Sequence, residues 1–163
     1  MSNPITRAIE ERRTINLFDA SRPIDDEQIH ELIRLASTAP TAFNLQNWRF
    51  IAVRTPEAKA RLRALAWDQT KVTEAAVTFI VCGQLPDYQR LPERLAPCVE
   101  AGFMPSAMVQ GWEGAAKSLY FERPQGQRDE AVRTATFGAG TLIHAAHALG
   151  LGTSPICARL FAY

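Results

Sequence analysis

Arg12, Arg13 and Thr14 set two guanidinium groups and a hydroxyl side by side, at the end of a short amphipathic stretch. A guanidinium is a rigid fork of donors matched to phosphate oxygens. Further along, Pro40-Thr41-Ala42-Phe43-Asn44-Leu45-Gln46-Asn47-Trp48 places hydroxyl and amide side chains beside an aromatic, where a helical pattern stops and a strand pattern begins. Asn and Gln both donate and accept, so they can satisfy the edge of a heteroaromatic ring. Together the two clusters suit a planar ligand that carries phosphate. Each also has a plainer explanation. Basic side chains near a helix C-terminus interact well with the helix dipole, and for Arg12 and Arg13 taken alone that explanation prevails. Thr41, Asn44 and Asn47 could satisfy their own loop backbone, although Gln46 is not a favoured turn residue and Trp48 follows it closely.

Other reactive types give weaker signals. Asp68-Gln69-Thr70-Lys71 precedes an apolar run and reads by default as a solvated turn. An inward Lys71 would stabilise negative charge on a bound group. His144 and His147 share a helix face but have no acidic neighbour to complete a metal set. Ser154 lies in Gly-Thr-Ser-Pro-Ile, which is not a nucleophile elbow. Neither a dinucleotide fingerprint nor a P-loop occurs.

The elements that must position these groups follow from punctuation and period. Pro4 opens a helix through Ile5, Ala8 and Ile9 that ends near Glu11–Arg13. Phe18–Pro23 reads as a loop. Asp25 and Gln28 form a capping box for a helix whose apolar face is Ile29, Leu32, Ile33 and Ala36, and Pro40 stops it. Trp48–Val53 is expected as a strand, Pro56–Leu65 as a helix, and Val77–Cys82 as a strand apolar enough to lie centrally in a sheet, ended by Gly83. The proline-rich stretch Leu85–Pro105 has no assignment. Ser106–Phe121 has helical composition, marked by Met108, Trp112 and Leu119. Arg123–Arg128 is expected as a turn, with Asp129 capping a long helix marked by Ala135, Ala139, Leu142, Ala146 and Leu149 and closed by Gly150. Leu151–Ile156 is expected to start a third strand. Strands among several helices predict an α+β layer fold. The small residues of the last helix would allow close packing, either within one subunit or against a twin from a second one.

With 163 residues, 47% apolar and 21% charged, the chain has the size and balance of one globular domain. A net charge of +1 gives no basic field for nucleic acid. The longest apolar run, near Val77–Cys82, is too short to cross a bilayer. Cys82, Cys98 and Cys157 form no C-x-x-C pair, which argues against a disulfide framework or a cysteine zinc site. No signal peptide opens the sequence. A reducing, cytoplasmic setting is therefore expected.

Taken in order, the segments Ala8–Ile15, Arg22-Pro23-Ile24, Ala39–Phe50, Lys71 before the Ala75–Val81 strand, and Ala145–Thr153 resemble the FMN-dependent nitroreductase family. The similarity covers nearly the whole chain. Arg-Arg-Thr and Pro-Thr-Ala-Phe-Asn-Leu-Gln are its specific parts. The resemblance implies a central mixed sheet flanked by helices, and a homodimer with a long buried helix at its interface and FMN bound between subunits. It implies ping-pong chemistry, in which NADH or NADPH reduces the flavin, leaves, and is followed by an electron-poor small-molecule acceptor of nitroaromatic or quinone type. The hard chemistry would then be the cofactor's. By position, Arg12 and Thr14 match contacts to the FMN phosphate and ribityl chain, with Arg13 adjacent. Pro40, Thr41, Asn44 and Gln46 match contacts reaching the flavin from the partner subunit. Asp68 and Lys71 fall near the ring and ribityl chain. Pro155-Ile156-Cys157 falls where backbone runs beside the flavin, so the Cys157 thiol need not take part. Trp112, Phe103 and Tyr120 lie in the region that covers the flavin in similar proteins, as a substrate slot or as core.

Three departures qualify the resemblance. Asn16 stands where the family usually carries Arg or Lys near the pyrimidine end of the ring, which should leave the reduced ring less stabilised. Asn47 stands where Pro is common, a change expected to affect only the loop. Family members also continue past the third strand with a basic, embracing segment, so residues 1–163 are expected as one domain with an abbreviated C-terminal arm. The abbreviated end and Asn16 motivate an alternative to the oxidoreductase, a flavin-binding dimeric protein with little or no turnover. A third reading is an α+β domain in which the two clusters never meet.

Overall fold

The computed structural model describes residues 3–156. Among them are seven α-helices and two strands, in the order α1 (Pro4–Glu11), α2 (Asp26–Ala36), β1 (Trp48–Val53), α3 (Pro56–Leu65), α4 (Lys71–Glu74), β2 (Thr78–Gly83), α5 (Leu91–Glu100), α6 (Ser106–Tyr120) and α7 (Pro124–Ala148). The α+β expectation holds. Strands β1 and β2 pair with each other in a two-stranded sheet. Among the described residues β2 therefore has one strand neighbour and is not central.

The described chain groups into two compact units, one of residues up to Ala36 with Phe50–Ile80 and the chain from Gly140, the other of Ser37–Arg49 with Val81–Ala139. The core of the first is Val53, Leu62, Ala66 and Val72, with Ala58, Ile80 and Ile156 packed on it. The core of the second is Leu45, Leu91, Leu95, Ala116 and Tyr120, with Phe43, Tyr88, Met104, Val109 and Trp112 around it.

The first unit's helices begin and end as their punctuation predicts. Asn3 caps α1, its side chain accepting from the Ile5 N–H at 2.8 Å. The capping box at α2 forms in both directions, Gln28 N–H to Asp25 Oδ1 at 2.7 Å and Asp25 N–H to Gln28 Oε1 at 3.3 Å. Thr55 caps α3 by accepting from the Ala58 N–H. At the end of α7, Gly150 takes φ +75°, its N–H bonds to His147 O and the Leu151 N–H bonds to Ala146 O. That pair of bonds is the Schellman arrangement, and the left-handed φ is the reason for a glycine there.

At four places the structure differs from the sequence reading or adds to it. First, Arg123–Arg128 is not a turn. Pro124 begins α7, where its missing N–H costs nothing, and the reversal falls on Glu122 at φ +52°. Asp129 lies within the helix and accepts from Gln125 Nε2, one turn back. Second, Leu151–Ile156 forms no strand within the described residues. A single parallel bridge joins Thr14 to Thr153. Third, the proline-rich stretch holds α5, with Pro92 in its first turn and Pro97 inside. Fourth, α6 turns Ala116 and Tyr120 inward, with Val109 and Trp112, while Met108 and Leu119 face outward. In the single chain, helix α7 leaves Val132 and Phe137 more than half exposed.

Candidate functional site

In the first unit, the residues after α1 run beside the residues after α7. Thr14 bridges Thr153, and the Ile15 N–H donates to Thr153 O at 2.9 Å. Gly152 makes this approach possible, because a Cβ there would lie 2.8 Å from Ile15 Cγ1. Lys71, at the start of α4, reaches the same place. Its ammonium donates to Ser154 Oγ at 3.1 Å and to Asn16 Oδ1 at 3.5 Å. Both acceptors are neutral, so the Lys71 charge is uncompensated by either. The structure thus joins Thr14, Asn16, Lys71 and Ser154 in one cluster.

The two neighbouring arginines divide in role. Arg13 folds its guanidinium back onto the carbonyls of Glu10 and Arg12, at the C-terminal end of α1. This is the helix-end interaction that the plainer explanation foresaw. Arg12 is half-buried, and the bonds found at this residue are backbone ones, its N–H donating to Ala8 O and its carbonyl accepting from Arg13. Among the described residues its guanidinium meets no carboxylate, so it can serve an anionic ligand. Asp68 does not join Lys71. It is 81% exposed on its side chain and accepts from Arg63 Nε at 2.7 Å. Pro155 is exposed, Ile156 packs into the first unit's core, and Cys157 lies outside the described residues.

In the second unit, the 40–47 loop is held by its own side chains. Thr41 Oγ1 accepts from the Gln46 N–H at 3.1 Å. Gln46 Nε2 donates to Asn44 Oδ1 at 2.8 Å. Phe43, Asn44 and Gln46 all have positive φ, between 46° and 55°. Such strain persists only where the surroundings enforce it. Here Leu45, 1% exposed, pins the loop to the core, and Arg94 Nη1 donates to its carbonyl at 2.9 Å. Pro40 precedes the loop, exposed.

Asn47 is not merely a loop variant. It is 4% exposed, donates through Nδ2 to Gln84 O at 2.6 Å and accepts from Thr134 Oγ1 at 2.9 Å. Thr134 in turn contacts Glu130 Oε1, and Arg133 bonds Glu130 Oε2 at 2.9 Å. Burial, followed by the Glu130 charge and its hydrogen bond, pushes the Tyr120 phenol up to about 12. Sequence reasoning missed this polar chain, since its members are spread over three elements.

Beside it lies a cavity of about 820 Å³ lined by Phe43, Trp112, Tyr120, Arg123, Glu130 and Arg133 among others. Trp112 and Tyr120 therefore both face open space and core, whereas Phe103 is 85% exposed. No metal-ligating cluster occurs among the described residues, and none of their helices is long and apolar enough to cross a membrane.

The family model for the nitroreductase family matches residues 9–163. The chain belongs to the nitroreductase family. Protein DrgA of Synechocystis is 32% identical over 152 residues, which make up 91% of this chain and 69% of that protein. YodC of Bacillus subtilis, assigned by name to the NAD(P)H nitroreductases, is 30% identical over 91% of this chain and 73% of its own length. Among solved structures, a Bacillus subtilis protein described as of nitroreductase type, YdfN, superposes with TM-score 0.85 at 29% identity, covering 94% of this chain and 75% of the other. A protein so described from Exiguobacterium sibiricum, in complex with FMN, gives TM-score 0.85 at 26% identity over 97% and 76%. The nitroreductase fold and the oxidoreductase expectation both stand on these matches. Arg12, Lys71 and the 41–46 loop lie within the matched span.

Proposed function

We propose that this nitroreductase is an FMN-dependent oxidoreductase, using NADH or NADPH to reduce an electron-poor nitroaromatic or quinone in a ping-pong cycle. It works as one domain over residues 1–163, paired in a cytoplasmic homodimer. One observation carries the reading. Among the described residues Arg12 and Lys71, two cations of the first unit, meet no carboxylate, and Lys71 is joined to Asn16 and Ser154, with Thr14 bridged to the neighbouring Thr153, in a chain of this family. A donor set of that kind fits the phosphate, ribityl hydroxyls and acceptor-rich ring edge of FMN.

In this assignment Arg12 and Thr14 hold the phosphate and the first ribityl hydroxyls, and Arg13 holds the end of α1 in place behind them. Lys71 supplies positive charge to the ribityl and ring side. Asn16 and Ser154 fix its ammonium without neutralising it. Pro155, Ile156 and Cys157 give backbone beside the ring, anchored by the Ile156 side chain. Pro40, Thr41, Asn44 and Gln46 reach the ring from the second subunit. When bound, FMN supplies the two-electron chemistry, and the net change for a nitro acceptor is nitro group, NAD(P)H and a proton to nitroso group, NAD(P)⁺ and water.

The test is direct. The purified protein, with or without added FMN, should show flavin absorbance that co-elutes on gel filtration, and NADPH should bleach it within a rapid-mixing trace. No flavin bands and no binding of added FMN would defeat the cofactor assignment. Bound flavin that NADPH leaves oxidised would point instead to a flavin-binding protein without turnover.

A further inference from the structure

The second unit holds a cavity that none of the assigned flavin contacts lines. Its walls are Phe43, from the 40–47 loop, and Trp112, Leu119 and Tyr120 of α6. Phe43 stands edge-on to Trp112 at 5.9 Å between ring centroids and edge-on to Tyr120 at 6.3 Å. Rings set this way make a fixed apolar wall for a flat guest. The volume, about 820 Å³, lies within the range of small-molecule sites.

The polar groups at the rim are unevenly used. Glu130, 6% exposed, is held by Arg133 at 2.9 Å and by Thr134, and it accepts from the Tyr120 phenol. Its negative charge is therefore spent on groups of the protein itself. Gln125 donates to Asp129. Arg123 differs. Its backbone N–H bonds to Tyr120 O and its carbonyl accepts from the Gln127 N–H, but among the described residues no carboxylate meets its guanidinium. With Glu130 and Arg133 cancelling, one positive charge remains at the mouth of an aromatic cavity. Gln125 and Gly126, which also line it, belong to the first turn of α7, the positive end of that helix.

We infer that this cavity binds a planar aromatic monoanion, a ring bearing one carboxylate, with the ring on Phe43 and Trp112 and the carboxylate on Arg123. A guanidinium matches a carboxylate in two parallel hydrogen bonds, whereas a neutral amide offers it a single oxygen. The binding site does not rest on the flavin reading.

Calorimetric titration of the purified protein with 4-nitrobenzoate and with 4-nitrobenzamide tests the carboxylate contact. The carboxylate should bind about tenfold more tightly than the amide. Arg123→Gln should erase that difference while leaving the amide's affinity as it was. Leu119→Trp, at a half-exposed position on the wall, should fill the cavity and weaken both ligands. Unchanged thermal melts of the two variants establish that they fold. Equal affinity for the two ligands, a preference that survives Arg123→Gln, or binding indifferent to Leu119→Trp would each overturn the inference.

Discussion

Two adjacent arginines of one type do different work here, and the difference is a matter of partners. The Arg13 guanidinium is committed to the carbonyls of Glu10 and Arg12, whereas among the described residues that of Arg12 meets no carboxylate. Arg12→Ala should raise the FMN dissociation constant about tenfold or more, in line with losing one charge-assisted contact of about 1.5–3 kcal/mol, and should leave the melting temperature in place. Arg13→Ala should do the reverse, lowering stability by about 0.5–1 kcal/mol through the end of α1 with little change in flavin affinity. Flavin fluorescence titration and thermal melts on the same preparations check both. Loss of affinity in Arg13→Ala alone would reverse the assignment.

At the scale of elements, the junction of the 40–47 loop with β1 depends on a buried amide. Asn47 joins Gln84 O, just past β2, to Thr134 on α7. Removing it takes the amide donor from the Gln84 carbonyl and leaves the Thr134 hydroxyl only the longer contact to Glu130 Oε1 at 3.3 Å. Asn47→Ala should therefore cost about 2–3 kcal/mol in chemical denaturation, the range for stranding buried polar groups. Asn47→Asp, which keeps the acceptor for Thr134 but loses the donor to Gln84, should not restore the loss. A cost under about 0.5 kcal/mol for Asn47→Ala would mean that water replaces the amide freely. The family resemblance marked position 47 as a loop change, because the residue's neighbours in sequence are loop residues. Its partners lie 37 and 87 positions away, and no local pattern announces them.

The whole molecule's response to alkali combines two buried groups of opposite sign. The folded-state phenol of Tyr120 titrates at about 12, above its ordinary 10.0. The folded state therefore keeps this proton longer than the unfolded chain, and the contribution is whole below pH 10 and lost between pH 10 and 12. Two pH units correspond to about 3 kcal/mol. Lys59 works the other way. Burial lowers its amine below the ordinary 10.5, with the ammonium donating to the Ala75 carbonyl. The unfolded chain holds that proton more firmly, so stability rises with pH up to 10.5. Urea denaturation across pH 9–12 should show a fall in the wild type above pH 10 that is shallower in Tyr120→Phe. Parallel curves for the two proteins would show that Tyr120 does not set the fall.

Much of this protein is legible from sequence because the signals are local. The capping box of Asp25 and Gln28, the proline starts of α1 and α3, and the Gly150 stop each depend on a few contiguous residues, and each forms as the residue types require. The ordered motifs likewise fix the family, since Arg-Arg-Thr and Pro-Thr-Ala-Phe-Asn-Leu-Gln are contiguous. Other features needed the third dimension. Pro124 could have closed a turn or opened a helix, and the left-handed Glu122 decided for the helix. Which arginine is open, which neutral groups hold Lys71, and why Asp68 stands apart depend on where side chains end rather than on where they start. The aromatic cavity gathers Phe43 from the 40–47 loop, Trp112 from α6, Arg123 from the link after it and Arg133 from α7. Short-range rules therefore set the elements, while the charges left without a counter-charge, on which binding depends, emerge only when distant segments compete for the same partners.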